Sequence, residues 1–121
     1  ESELFDFLKK LNAKSKLELI ITTGNNIPLV LKNILPKIYD LNIKVYDKLD
    51  FNGLEKITLN STLLISCHGA ISHIASANEI SQIDIIDKSY NYKRWTDHFR
   101  NYTFIHRDKF LNLTEKIIQK L

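Results

Sequence analysis

The stretch LLISCHGAISHIASA, from Leu63 to Ala77, passes from an apolar run to a helix-like pattern through one short turn. This order predicts a buried strand, a glycine-containing turn and a helix. Strand and helix patterns alternate in the same way along the rest of the chain, which predicts an α/β protein. Strands that read as continuous apolar runs further predict a parallel sheet with helices on both faces.

Five strands are predicted, in the ranges 17–23, 43–47, 62–67, 82–87 and 102–107. Helices are predicted over 2–11, 26–41, around 54–57, over 70–79 and over 109–121. In the second helix Asn26 is expected to cap the first turn, Pro36 to kink the helix, and the apolar residues from Leu29 to Leu41 to face the core. The expected architecture is one Rossmann-like sheet of about five strands, which binds ligands at the carboxyl ends of strands where the strand order reverses.

Composition narrows the function classes. The 121 residues are 44% hydrophobic and 26% charged, which is typical of one globular domain spanning residues 1–121. The net charge of +3 comes from scattered basic residues, so nothing indicates nucleic acid as a partner. Because the chain opens on Glu1 and contains no methionine, we expect a processed protein or a fragment of a longer one.

Cysteine and histidine usage gives further expectations. Cys67 is the single cysteine and the sequence has no membrane-length apolar run, so a reducing, cytoplasmic location is predicted. Cys67 and His68 are neighbours whose side chains point to opposite faces of a strand, which argues against a thiolate nucleophile. The four histidines lack metal-ligand spacing, and neither a metal nor a cofactor is predicted.

The turn after the third strand is the main candidate site. Gly69 is expected to allow a backbone conformation, or a close approach, that a side chain would block, and the amides of residues 70–73 form the positive end of a helix. Ser72 would add a hydroxyl donor and His73 a donor that can be charged, which together favour an anion. The structural alternative is that Gly69 only makes the turn, Ser72 caps the helix and His73 is partly buried.

Other candidates lie at the ends of strands. Asp87 ends the fourth strand, where ligands bind in α/β sheets, whereas Asp84 alternates with isoleucines and is explained by a half-polar strand. A turn that could contact a ligand also follows the first strand at Thr23, Gly24 and Asn25.

The segment CHGAISHIASANEISQIDII, from Cys67 to Ile86, resembles the donor-site segment of GT-B glycosyltransferases, most closely family 9, the heptosyltransferase-like enzymes. In that family a strand ends in a glycine-containing loop, and a histidine and small residues follow on the helix. Trp95 falls where the family often has a tryptophan, which could stack on a base or sugar or could pin its loop. The chain departs from the family at His68, where an acidic residue is frequent, and at Gly69-Ala70, where Gly-Gly or Gly-Pro is frequent.

The resemblance implies the C-terminal, nucleotide-sugar-binding half of an inverting glycosyltransferase that acts on a bacterial surface glycan or lipid. Its partners would be a nucleotide diphosphate sugar donor and a glycan or lipid acceptor, the latter held by an N-terminal half that also supplies the general base. Peripheral membrane association of the full-length protein is compatible with such an acceptor. The implied substrate-binding residues are His68, Gly69, Ala70, Ser72, His73, Thr23, Gly24, Asn25, Asp87 and Trp95.

Two alternatives stay open at the level of sequence. The first is a stand-alone Rossmann-like module that binds a nucleotide or phosphorylated metabolite without catalysis. The second is an interaction domain in which the turn is purely structural.

Overall fold

A computed structural model describes residues 2–89, 92 and 96–121. The described helices are α1 (Ser2–Lys14), α2 (Leu29–Asp40), α3 (Phe51–Leu59), α4 (Ala70–Ala77) and α5 (Phe110–Lys120). The described strands are β1 (Ile20–Thr22), β2 (Lys44–Tyr46), β3 (Leu63–Cys67), β4 (Ser81–Ile86) and β5 (Tyr102–His106). The predicted α/β class is therefore confirmed. The chain divides into two compact units, the first formed by Glu1–Asp50 with Lys109–Leu121 and the second by Phe51–Asp108.

The strands form two small parallel sheets, so the expectation of one five-stranded Rossmann-like sheet is wrong. β1 pairs with β2 over only three residues each, from Ile20 opposite Lys44 to Thr22 opposite Tyr46. The other sheet has the order β3-β4-β5. Its strands follow one another in sequence order, so this sheet contains no reversal point of the kind at which a ligand was expected.

The first unit has an aliphatic core. Its buried cluster is formed by Leu8, Leu31, Ile34, Ile38 and Ile43. Helix α1 supplies Leu8 and packs against both α2 and α5, as the amphipathic pattern at the start of the chain predicts.

Helix α2 differs from its prediction at the N-terminal end. It begins at Leu29 after Pro28, whose φ of −55° suits the start of a helix, and no side chain caps it, so Asn26 is not the cap. Leu29 and Val30 are 70% and 44% exposed, and the buried face begins only at Leu31. The helix runs through Pro36 without ending.

The second unit is built on β3, β4 and β5. Helix α4 packs on β4, and α3 is a nine-residue helix where only a short helix within a loop was predicted. Because residues paired in a parallel sheet point to the same side, Ser66, Asp84 and Phe104 share one face. This shared face positions the candidate site.

Candidate functional site

A fully buried carboxylate lies at the centre of the second unit. Asp84 is 0% exposed. Its Oδ2 accepts hydrogen bonds from His68 Nδ1 at 2.6 Å and from Tyr102 Oη at 2.8 Å, and its Oδ1 accepts one from Ser72 Oγ at 3.5 Å. These four residues are called the Asp84 network below. A carboxylate out of contact with water is costly unless hydrogen bonds replace its hydration, and three donors do so here.

Regular secondary structure brings the four side chains together. His68 is the first residue after β3, and its N–H donates to Ile85 O at 3.3 Å, which extends the ladder with β4. Tyr102 begins β5 one diagonal step from Asp84, since its direct partner is Gln82. Gln82 is 2% exposed and donates from Nε2 to Ser72 O at 3.0 Å, which fixes α4 over the sheet.

The bond to Asp84 sets what the His68 ring can do. The side chain is 12% exposed, and its Nδ1 is occupied by the carboxylate, so a ligand would meet Nε2. A neutral His68 that donates from Nδ1 presents a lone pair at Nε2, whereas a protonated His68 presents an N–H there. His68 can therefore accept a proton or bind an anion.

The turn itself departs from one expectation. Gly69 has φ −176° and ψ −167°, an extended conformation, and a Cβ built there would meet only Cys67 O at 3.9 Å. The expectation that the backbone needs a glycine here is therefore wrong. A close approach by a ligand, which a side chain would block, stays a prediction.

The amides and hydroxyl of the first turn of α4 are partly engaged within the protein. Ser72 N–H donates to Gly69 O at 3.0 Å, and Gly69 N–H donates to Ser72 Oγ at 3.3 Å. Ser72 is also 0% exposed, so its contacts are those of the structural alternative, in which it caps the helix. Of the amides predicted to face an anion, those of Ala70 and Ile71 have no carbonyl four residues earlier within the helix.

Tyr102 is held in its neutral form. Burial is the first cause that raises the pKa of Tyr102, followed by the hydrogen bond to Asp84 and the negative charge of that carboxylate. A neutral phenol keeps its proton available for Asp84. Tyr102 is therefore a lasting donor in the network rather than an acid that titrates near neutral pH.

Aromatic and imidazole rings extend from the network across the second unit. The His68 ring lies 4.8 Å from that of Tyr92 and 5.5 Å from that of His73, measured between centroids. His73 is exposed and meets Phe99 edge-on at 5.0 Å, and Phe99 in turn lies 5.3 Å from Tyr102. The predicted pair His68 and His73 is thus brought together.

Asp87, another predicted site residue, is not part of this cluster. Asp87 is exposed, and its Oδ1 accepts hydrogen bonds from both Ser89 N–H and Ser89 Oγ at 2.9 Å. The backbone bond first, and then the hydroxyl bond, lower the pKa of Asp87. This pattern is that of a local turn. Trp95 lies outside the described residues.

The turn after β1 belongs to the first unit. Thr23 N–H donates to Tyr46 O at 3.0 Å, and Thr23 Oγ1 accepts from Lys48 N–H at 3.3 Å, so the turn is anchored to the segment after β2. Gly24 and Asn25 are exposed. Their predicted contact with a ligand stays a prediction.

Sequence reasoning missed the centre of the site. Asp84 was assigned to a half-polar strand, and Tyr102 was given no role. A signal was present, because Gln82 and Asp84 alternate with isoleucines in a strand predicted to be covered on both faces. A polar side chain in such a strand must be buried and therefore hydrogen-bonded.

Within residues 2–89, 92 and 96–121, no three His, Cys, Asp or Glu side chains are grouped so that they could hold a metal ion. In the same part of the chain, no helix combines the length and apolar character needed to cross a bilayer. Cys67 is a free, exposed thiol.

The chain was compared with protein-family models, with curated proteins and with solved structures, and none of the three comparisons found a match. The Asp84 network and the rings around it are therefore the basis for assigning a function.

Proposed function

We propose that the second unit binds the diphosphate of a nucleotide-sugar donor, and that the chain is the donor-binding half of an inverting glycosyltransferase acting on a bacterial surface glycan or lipid. The observation that carries the proposal is the buried Asp84, which holds His68 at the N-terminal end of α4. The likeness of Cys67 to Ile86 to family 9 supports the same conclusion.

The chemistry expected of this end of α4 is anion binding. Nδ1 of His68 is bonded to Asp84, so Nε2 is the ring nitrogen that would meet a phosphate oxygen. The first amides of α4 add the partial positive charge of a helix N-terminus. When the bond between the sugar and the diphosphate breaks, negative charge grows on the leaving phosphate, and donors already fixed in place stabilise that charge without reorganisation.

The hydrogen bond to Asp84 also bears on His68, the position at which this chain departs from the family. Where the family often has an acidic residue, this chain has an imidazole backed by the carboxylate of Asp84. In this proposal the acceptor site and the general base belong to another half of the enzyme. The proposal includes a cytoplasmic location, which the free thiol of Cys67 supports.

The test is calorimetric titration of the 121-residue chain with pyrophosphate, with ADP, GDP, UDP and CDP, and with the corresponding nucleosides. His68→Ala and His73→Ala should each weaken diphosphate binding by roughly ten- to a hundredfold, because a hydrogen bond to a charged group contributes about 1.5 to 3 kcal/mol. His106→Ala is the matched control, since His106 is exposed on β5 and contacts Phe104 instead of the network. If the histidine variants lose nucleoside and diphosphate binding equally, the residues support the fold and do not touch phosphate.

A second test uses the space around Gly69. The fold has room for a Cβ there, so Gly69→Ala should leave the circular dichroism spectrum and the melting temperature unchanged. A loss of pyrophosphate affinity in Gly69→Ala would then report the close approach of a ligand. Unchanged affinity in a folded Gly69→Val protein would contradict that approach.

A further inference from the structure

Strand β5 forms one edge of the sheet in the second unit. Among residues 2–89, 92 and 96–121, its only strand partner is β4, and it stands last in the order β3-β4-β5. Thr103 and His106 are exposed, and Phe104 is 50% exposed. Solvent therefore reaches the strand along its length, and a partner has access to it.

The backbone bonds between β4 and β5 decide which groups of β5 face outward. Asn101 O accepts from Gln82 N–H at 3.0 Å, and Arg107 N–H donates to Ile86 O at 2.7 Å, so odd-numbered residues carry the bonds to β4 at both ends of β5. In a parallel pair, every second residue of a strand directs its backbone groups toward a given neighbour. The even-numbered residues of β5 therefore direct their N–H and C=O groups away from β4. They are Tyr102, Phe104 and His106.

The side chains of these three residues form a row of rings on one face of β5. The ring centroids of Tyr102 and Phe104 lie 6.4 Å apart, and those of Phe104 and His106 lie 5.7 Å apart. Soluble proteins commonly protect an edge strand with lysine, proline or a bulge. The five residues of β5 include neither lysine nor proline, and the register with β4 runs without a bulge from Tyr102 to His106. The edge of β5 is therefore suited to pairing with another strand.

We propose that β5 pairs antiparallel with β5 of a second copy of this chain, about a two-fold axis at Phe104. In this register Tyr102 of each copy lies opposite His106 of the other, and the two Phe104 residues lie opposite each other. All of these residues direct their backbone groups outward, so each opposed pair exchanges two hydrogen bonds. The three-stranded sheets of the two copies then form one continuous sheet.

Charge and side-chain pairing favour a second copy as the occupant of this edge. The antiparallel register sets Arg100 of one copy opposite Asp108 of the other and Arg107 opposite Asn101, so no like charges lie opposite each other along it. Aromatic side chains that lie opposite each other stabilise an antiparallel pair, and the pairing covers the exposed ring of Phe104. The edge is thus complementary to itself in hydrogen bonding, charge and side chains.

This inference goes beyond the proposed function and does not depend on it. It rests on the backbone and side chains of β5, whereas the proposed diphosphate site lies at the N-terminal end of α4. Pyrophosphate titration reports on the diphosphate site, and the self-association of the chain reports on β5. Either proposal can therefore fail without the other.

The first experiment is sedimentation equilibrium of the 121-residue chain from about 10 μM to about 1 mM, because a short strand edge is a small interface and small interfaces associate weakly. The average mass should rise from 14.1 kDa toward twice that value. Phe104→Lys should raise the dimer dissociation constant by about tenfold or more, because two like charges then lie opposite each other at the axis. Phe51→Lys is the matched control and should associate as the wild type does, since Phe51 is 47% exposed on α3.

The second experiment tests the position of the axis. Phe104→Glu should be monomeric for the same reason as Phe104→Lys. An equimolar mixture of the two variants should associate, because the axis then brings unlike charges together. A mixture that stays monomeric would mean that residue 104 does not lie opposite its own copy.

Amide hydrogen exchange on the wild type, in a dilute and a concentrated sample, locates the interface without any variant, so the proposal stays testable if Phe104→Lys does not fold. The amides of Tyr102, Phe104 and His106 should exchange more slowly in the concentrated sample. Those of Thr103 and Ile105, which face β4, should exchange equally in both. A chain that stays monomeric at the highest concentration, a dimer that Phe104→Lys leaves intact, or slower exchange only outside β5 would each overturn the proposal.

Discussion

Both units of this chain bury aliphatic side chains, but they differ in the polar groups that are buried with them. The first encloses an aliphatic cluster centred on Ile38, and its buried Thr114 bonds to Phe110 O in its own helix at 2.7 Å. The second buries Ser72, Gln82 and Asp84 against a three-stranded sheet. An aliphatic cluster stabilises a fold by removing area from water, with little demand on geometry. A buried carboxylate costs free energy unless hydrogen-bond donors replace its hydration, so Asp84 sets the second unit apart from the first.

The largest expected effect of a single change comes from the aliphatic side of this comparison. Ile38 is 0% exposed, and Ile38→Ala should lower the free energy of unfolding by about 3 kcal/mol through lost burial and a residual cavity. Urea denaturation measures this loss. Leu29→Ala, at a position 70% exposed, is the control and should change stability by less than about 0.5 kcal/mol. A loss at Ile38 no larger than the control would mean that this cluster does not hold the fold.

The next largest effect should come from Asp84→Ala. Removing the carboxylate leaves the donors of His68, Ser72 and Tyr102 without their acceptor, which should cost about 2 kcal/mol. Unlike Ile38→Ala, this change should also weaken pyrophosphate binding, because the His68 ring is no longer held. Denaturation and calorimetry on the same preparation separate the two losses. Stability lost without any loss of affinity would make the network purely structural.

Tyr102→Phe should have a smaller effect, about 1 kcal/mol for one hydrogen bond, with a distinct dependence on pH. The pKa of Tyr102 is raised in the folded protein, so between the ordinary tyrosine value of about 10 and the raised value the folded state keeps a proton that the unfolded chain releases. The contribution of Tyr102 to the free energy of unfolding should therefore be fully present below about pH 10 and should decrease as the pH rises above that value.

Thermal melts at neutral and alkaline pH measure the slope with which stability decreases as the pH rises. It should be shallower in Tyr102→Phe than in the wild type, whereas Tyr46→Phe, at an exposed tyrosine of β2, should leave it unchanged. Equal slopes in all three proteins would contradict the assignment.

The smallest effect is expected from Asp87→Asn. The pKa of Asp87 is lowered by its bonds to Ser89, so its contribution to stability is present above the ordinary aspartate range and is lost as the pH falls through the lowered value. The group is exposed, and solvent screens most of this contribution. Melting temperatures at pH 7 and in acid should differ only slightly between Asp87→Asn and the wild type. If Asp87→Asn lowered the melting temperature at pH 7 as much as Asp84→Ala does, the difference in exposure between the two aspartates would not determine their contributions to stability.

Local pattern predicted the elements well and their assembly poorly. The strand, turn and helix from Leu63 to Ala77 could be predicted from the spacing of apolar residues, because these elements depend on residues that are close together in the sequence. The pairing of β1 with β2 apart from β3-β4-β5 depends on contacts between distant segments, which periodicity does not contain. The exposure of Leu29 and Val30 has a similar cause, since an apolar side chain is buried only where another element covers it.

The candidate site shows the same limit at the scale of single residues. The turn that carries His68, Gly69 and His73 was found because glycine and histidine at the end of a strand are local signals. Asp84 and Tyr102 were missed because their role depends on a diagonal neighbour in the sheet, eighteen residues apart along the chain. The alternation of side chains along a strand predicts on which face Asp84 lies, but it does not predict whether that face is exposed to water.

The contact between the first and last helices has a consequence for the order in which the protein is made. Phe7 in α1 lies 5.4 Å from Phe110 in α5, ring to ring, and α5 also supplies the buried Leu113 and Ile117. Every residue of the second unit precedes α5 in the sequence, whereas the first unit needs segments from both sides of the second, Glu1–Asp50 and Lys109–Leu121. A chain that ends at Asp108 would contain every residue of the Asp84 network but would lack Leu113 and Ile117, which α5 buries in the first unit.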